Sequence, residues 1–216
     1  MRVFLISILL LLTNISCSQK IEKQKELEKI IYQVIDCYNK KDYKKINKFI
    51  NKEIGLFIIQ SVGINPSIIK INPYYKSQDS IYISNLLIPD LYKNSLSENF
   101  KIKYESYPTF EEGCEIPSKT GLFVNPKEND ILVLKEAIDY YKWEENNYGF
   151  EKNKKWDEYL TTVNKIAPNT LKIIYAGNYK DNPDSEYKKI FIFYLTFISN
   201  KWYLTILDYY TIDCSV

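Results

Sequence analysis

The sequence predicts an α+β domain, and three observations carry that reading. Glu26 to Asn39 sets Leu27, Ile30, Ile31, Val34 and Tyr38 on one stripe at helical spacing. The closing stretch "KIFIFYLTFISNKWYLTILDYYTI", residues 189–212, has the β-branched and aromatic run of a long antiparallel hairpin. Between these two, helical patterns and short apolar runs are punctuated by Pro66, Pro73, Pro89, Pro108 and Pro168, so one unit mixes both kinds of element.

The first element is a leader. Arg2 carries a positive charge, and Val3 to Leu12 is apolar apart from Ser7. A membrane span needs roughly 20 apolar residues, so this run fits the core of a secretory signal better. Two cleavage points compete. Asn14-Ile15-Ser16-Cys17 resembles the Leu-small-small-Cys box of bacterial lipoproteins, with Asn14 where leucine is usual, and it implies acyl chains on Cys17. Ser16-Cys17-Ser18 also meets a small-x-small rule for a cut after Ser18, which implies plain secretion. Ser18 to Glu28 is polar and suits a tether. The expected organisation is a signal peptide over 1–16, a tether over 17–25 and a single α+β domain over 26–216. Lipid on Cys17 places the protein in the bacterial cell envelope, held on a membrane and facing the periplasm or the outside. Each buried CH₂ contributes roughly 0.8 kcal/mol, and stable anchoring takes more than one chain.

After the first helix the pattern pauses at "NKKD". Asp42 can then cap a second short helix with Tyr43, Ile46, Phe49 and Ile50 inward. Gly55 stops it, and "LFIIQSV" reads as a buried strand. Residues 64–110 read as short strands and turns, "SIYIS" and "FKIKYES" among them. Asn129 or Asp130 can cap a helix reaching about Asn146, with Leu134 and Ile138 inward. The next helix places Trp156, Leu160, Val163 and Ile166 on one face and ends at Pro168. "TLKIIYAG" is a strand, and a polar turn leads from it to the hairpin. With Asn200-Lys201 as the loop, Phe197 pairs with Leu204, Leu195 with Ile206, Phe193 with Asp208 and Phe191 with Tyr210. One face is then apolar except for Asp208. The other, with Tyr194, Thr196, Tyr203, Thr205 and Tyr209, suits partial exposure.

Composition excludes several chemistries. The 29 basic and 27 acidic residues are dispersed, which speaks against a nucleic-acid-binding face. The absence of histidine removes the usual general base, the Ser-His and Cys-His pairs and the commonest metal ligand. Glu111, Glu112 and Glu115 around Cys114 offer oxygens to a hard cation, but no Asp-x-Asp-x-Asp-Gly loop accompanies them, and an exposed acidic turn is the simpler reading. There is no Gly-rich phosphate loop, no Cys-x-x-Cys and no Gly-x-Ser-x-Gly, so no cofactor or metal is expected. Cys37 falls on the apolar stripe and reads as a small buried hydrophobe. Cys114 and Cys214 lie in polar surroundings and form a candidate disulfide, which export permits. The many tyrosines and tryptophans are read chiefly as packing, with sugar-binding platforms as the alternative.

"IIYQVIDCYNKKDYKKINKFI" resembles the helix-turn-helix opening of NTF2-like domains, and "FYLTFISNKWYLTILDYY" is similar to their final hairpin, where a Trp follows the turn. The resemblance implies N-terminal helices packed on a curved antiparallel sheet that wraps a pocket. Asp208 is the candidate group in that pocket, since a carboxylate on an apolar face acquires a raised pKa and can serve binding or catalysis. The plainer reading is a structural Asp208 that accepts bonds from neighbours. The expected function is a non-enzymatic envelope lipoprotein that binds a protein, glycan or small ligand. The alternative is a carboxylate-based hydrolase of envelope glycans, which needs a second acid about 5 Å or 6.5–9.5 Å away. A structural module without a pocket is the third reading.

Overall fold

The computed structural model describes residues 2–40, 42–62, 65–71, 101–110, 117–128, 131–149, 152–177 and 190–211, with the backbone alone for residues 2–20, 43 and 62. Helix α1 (Arg2–Asn39) starts in the leader and runs unbroken through the stretch expected as a tether. No glycine or proline interrupts it, and residues 19–29 are mostly Gln, Lys, Glu and Leu, all strong helix formers. Among its described side chains, the buried ones are Leu27, Ile31, Val34, Ile35, Cys37 and Tyr38. Helix α2 (Tyr43–Ile46) opens on Asp42, whose Oδ1 accepts the Lys45 N–H at 3.1 Å, as a capping residue should. A 3-10 turn over Asn47–Phe49 follows, and Gly55 at φ 77° turns the chain into the sheet.

The strands are β1 (Leu56–Val62), β2 (Asn65–Ile71), β3 (Ile102–Lys103), β4 (Gly121–Val124), β5 (Thr170–Ala176), β6 (Ile190–Ile198) and β7 (Lys201–Asp208). They form one curled sheet in the order β2-β1-β7-β6-β5-β4-β3. The sheet is mixed rather than antiparallel throughout: β1 runs parallel to β7, and β3 runs parallel to β4. The first pairing is non-local, joining the start of the domain to its end, and local periodicity carries no information about it. Of the two short segments read as strands between 64 and 110, "SIYIS" lies outside the described residues, and "FKIKYES" contributes β3.

Helices α3 (Leu132–Tyr148) and α4 (Lys155–Ile166) lie between β4 and β5 in the chain. The expected caps Asn129 and Asp130 lie outside the described residues, and the residue at the start of α3 is Ile131, with no side-chain cap. Trp156, Val163 and Ile166 are buried as expected, and Pro168 sits in the 3-10 turn Ala167–Asn169 that ends α4.

The sheet is covered on both faces. On one face Leu27, Ile31, Val34 and Tyr38 of α1 pack with Leu56, Ile58, Ile173, Phe191, Phe193, Leu195, Trp202 and Leu204. On the other, Leu134 and Ile138 of α3 and Trp156, Val163 and Ile166 of α4 pack with Phe57, Ile59, Phe123, Ile174, Ile192, Tyr194 and Ile206. The second face is not half-exposed as its tyrosines and threonines suggest: Tyr194, Thr196 and Thr205 are all buried. Double coverage explains why β6 reads as an almost continuous apolar run instead of an alternating one.

The hairpin register also differs from expectation. The turn is Ser199-Asn200, both at positive φ (47° and 63°), so Phe197 faces Trp202 and Leu195 faces Leu204. Two adjacent residues at positive φ match the strand twist of a tight hairpin, and Asn tolerates that conformation where Lys201 does not. An extra residue, Thr205, then interrupts the ladder, because Tyr194 pairs with Ile206. Past this bulge Asp208 lies opposite Ile192, not Phe193, and so belongs to the face under α3 and α4.

Candidate functional site

Asp208, the carboxylate singled out by sequence, is fully buried at the end of β7. Its Oδ1 accepts the Thr211 N–H at 2.9 Å, and its Oδ2 accepts the Thr211 hydroxyl at 2.7 Å. Burial pushes its pKa above the usual carboxylate range, opposed by the Thr211 bonds, by the charge of Lys172 and by the Tyr210 N–H. It terminates a strand and fixes the turn that follows. The space between α1 and the sheet, where a pocket was expected, is filled by side chains: the Tyr38 and Phe191 rings lie 4.3 Å apart, and the Tyr38 and Tyr209 hydroxyls are 3.3 Å apart.

Further along the hairpin runs a chain of buried hydroxyls. Thr170 donates to the Ile166 carbonyl at 2.8 Å, Thr170 and Thr196 lie 2.7 Å apart, and Thr196 and Thr205 lie 2.7 Å apart. It stitches β5, β6 and the bulge of β7 to the end of α4.

Of the other residues singled out by sequence, Cys17 lies in α1, where the backbone alone is described. Cys114 and Cys214, with Glu111, Glu112 and Glu115, lie outside the described residues. Cys37 is a free, buried thiol whose pKa burial pushes up. Among the described residues no three or more Cys, Asp or Glu side chains gather as a metal site, and no helix is long and apolar enough to cross a membrane.

Two surface features stand out instead. The first is a notch of about 660 Å³ beside the hairpin turn. It exists because β1 pairs with β7 only from Phe57 opposite Ile206 onward, which leaves the outer half of β7 without a strand on that side. Asn47, Lys48, Asn51, Lys52 and Glu53 line one wall, and Ile198, Ser199 and Tyr203 of the hairpin line the other. Asn51 holds the first wall rigid: its Oδ1 accepts the N–H groups of Glu53 (2.9 Å) and Ile54 (3.1 Å). The buried Oδ1 of Asn47 has no hydrogen-bond partner among the described residues.

The second feature is an aromatic shelf on α3. Trp143 lies nine residues past the buried Leu134, about two and a half helical turns, so it points away from the core. It is 51 % exposed, and Tyr148 is 64 % exposed. The Tyr140 and Trp143 rings are 31° from parallel with centroids 6.2 Å apart, and Tyr148 stands perpendicular to Trp143 at 5.7 Å. Polar groups border the rings. Tyr140 donates its hydroxyl to Glu144 at 2.6 Å, which pushes the phenol pKa up to about 12, and Asn147 donates to the Trp143 carbonyl at 2.8 Å. The neighbouring helix fixes the shelf: Trp156 stacks on Tyr141 at 4.3 Å and donates its indole N–H to Glu145 at 2.8 Å, and Lys142 pairs with Asp157 at 2.7 Å. Sequence reading treated these aromatics as packing. The signal that separates Trp143 from them is its spacing from Leu134 and Ile138.

No family model, no curated protein and no solved structure matches the chain. Its functional assignment rests on these surfaces.

Proposed function

We propose that the protein is an exported, lipid-anchored binding module without catalytic activity, which holds an envelope glycan on the aromatic shelf of α3. The observation that carries this reading is the exposure of Trp143 at the centre of the shelf. An indole left half in water on a helix whose opposite face is well packed gains from a partner that covers it. The surroundings favour a glycan over an apolar protein surface. Glu144, bonded to Tyr140, and Asn147, bonded to the Trp143 carbonyl, lie at the rings, so C–H groups of a sugar face can lie on the rings while its hydroxyls meet carboxylate and amide.

The apolar leader and the Cys17 box support export and the lipid anchor, with Cys17 the acylated residue. For the fold we propose a variant of the NTF2-like type. Its support is α1 and the α2 turn lying against one face of a curled sheet that ends in a long hairpin, and the second helical layer is the departure.

The test is retention of the mature protein on insoluble cell-wall glycan, with soluble oligosaccharides as competitors. Trp143→Ala and Tyr148→Ala should each weaken binding by about tenfold, the scale of one aromatic contact of roughly 1–1.5 kcal/mol, with an unchanged unfolding midpoint. Equal retention of the wild type and both variants defeats the glycan reading.

A further inference from the structure

The direction of α1 tells which end of the domain faces the anchor. Near its start, the Lys23 ammonium lies 3.9 Å from the centre of the Phe197 ring, and the Lys23 carbonyl accepts the Trp202 indole N–H at 3.3 Å. Phe197 and Trp202 flank the hairpin turn. Near its end, Tyr38 meets Phe191 and Tyr209 at the base of the same hairpin. The fifteen helical steps from Lys23 to Tyr38 rise about 22 Å, and the six strand steps from Phe191 to Phe197 span about 20 Å, so α1 lies along the hairpin from turn to base. Six residues before Lys23, Cys17 sits about 9 Å further along the continuing helix, which brings it about level with the turn two residues past Phe197.

We infer that the notch beside the hairpin turn is a membrane-facing site that takes the anionic headgroup of a phospholipid. This rests on the lipid-anchor reading, because acyl chains on Cys17 bring the bilayer surface up under the turn. The notch carries the matching chemistry. Lys48 and Lys52 supply positive charge on its wall, exceeding the single negative charge of Glu53, and Lys201 stands exposed at the turn. Tyr203 stands on the opposite wall, facing the space a headgroup would enter. Cations held at the surface of an anionic membrane are attracted to it over a Debye length of about 10 Å, and the turn lies about level with Cys17 along the helix.

The experiment uses the full chain, exported and recovered from membranes, with a benzophenone amino acid in place of Tyr203. Mass spectrometry of the N-terminal peptide first reads the modification of Cys17. The protein is then placed in vesicles of phosphatidylcholine alone or mixed with phosphatidylglycerol, and illuminated. Phosphatidylglycerol should be captured covalently, with little capture of phosphatidylcholine. Lys48→Glu with Lys52→Glu should cut capture at least about tenfold, since two attractive charges become repulsive. Added glycerol phosphate at millimolar level should leave capture unchanged. An unacylated Cys17 overturns the anchor and this inference with it. An acylated Cys17 overturns this inference alone in any of four outcomes: no lipid captured, equal capture of both lipids, capture unaffected by the lysine changes, or protection by soluble glycerol phosphate.

Discussion

Asp208 illustrates how one buried carboxylate shapes stability without chemistry. Its folded pKa lies above its unfolded value, so between those two values the folded state holds more protons than the unfolded one. Stability is then highest below the ordinary carboxylate range and falls as pH rises through the folded pKa. Asp208→Asn keeps an oxygen for the Thr211 donors and removes the cost of the buried charge. Denaturant unfolding across pH should show equal or greater stability at neutral pH and a flatter profile above about pH 4. Thr211→Val removes a donor to the anion, and should raise the Asp208 pKa further, as carboxyl NMR titration would read. A marked loss of neutral-pH stability in Asp208→Asn would contradict this account. At this scale sequence was a partial guide. It picked out Asp208 as the polar residue in an apolar stretch, which its burial justifies, but it put the side chain on the wrong face, because a bulge of one residue is invisible to period-two counting. Trp143 was missed, because the aromatics read as packing, although its spacing from Leu134 sets it on the outer face. The unpaired Asn47 oxygen was not legible, since its surroundings come from a loop and a hairpin about 150 residues apart.

Among the elements, the hairpin β6–β7 and the helices were visible in advance because each is set by local periodicity. The sheet order was not, and neither was the double coverage, since both depend on β1 returning beside the last strand. The bulge at Thr205 is tied to the hydroxyl chain: it turns Thr205 toward Thr196, and the two meet at 2.7 Å. Thr196→Val strands the buried Thr205 hydroxyl, whose other contact is the Tyr194 carbonyl at 3.4 Å, and should cost roughly 1–3 kcal/mol in denaturant unfolding. Adding Thr205→Val removes the stranded group, so the double variant should regain part of that loss. A double variant with the full sum of both single losses would show that the threonines act separately.

For the molecule as a whole, one sheet serves two cores, so damage to either side should be felt on both. Trp202 reports on the α1 side and Trp156 on the α3–α4 side. Phe191→Ala, at a fully buried position against Tyr38, should destabilise by roughly 3–5 kcal/mol. Single-tryptophan variants should show both reporters shifting to the same lower midpoint, and separate transitions would mean that the layers unfold independently. The double coverage has a further consequence in biosynthesis. A ribbon that must be hidden on both sides is adhesive on both sides while bare, and 190–207 is rich in the residues that stack chain upon chain. It also follows both helical layers in the chain. By the time it emerges, the helices that will cover it have already been synthesised, and the order of translation shortens the interval in which a neighbouring copy can claim it.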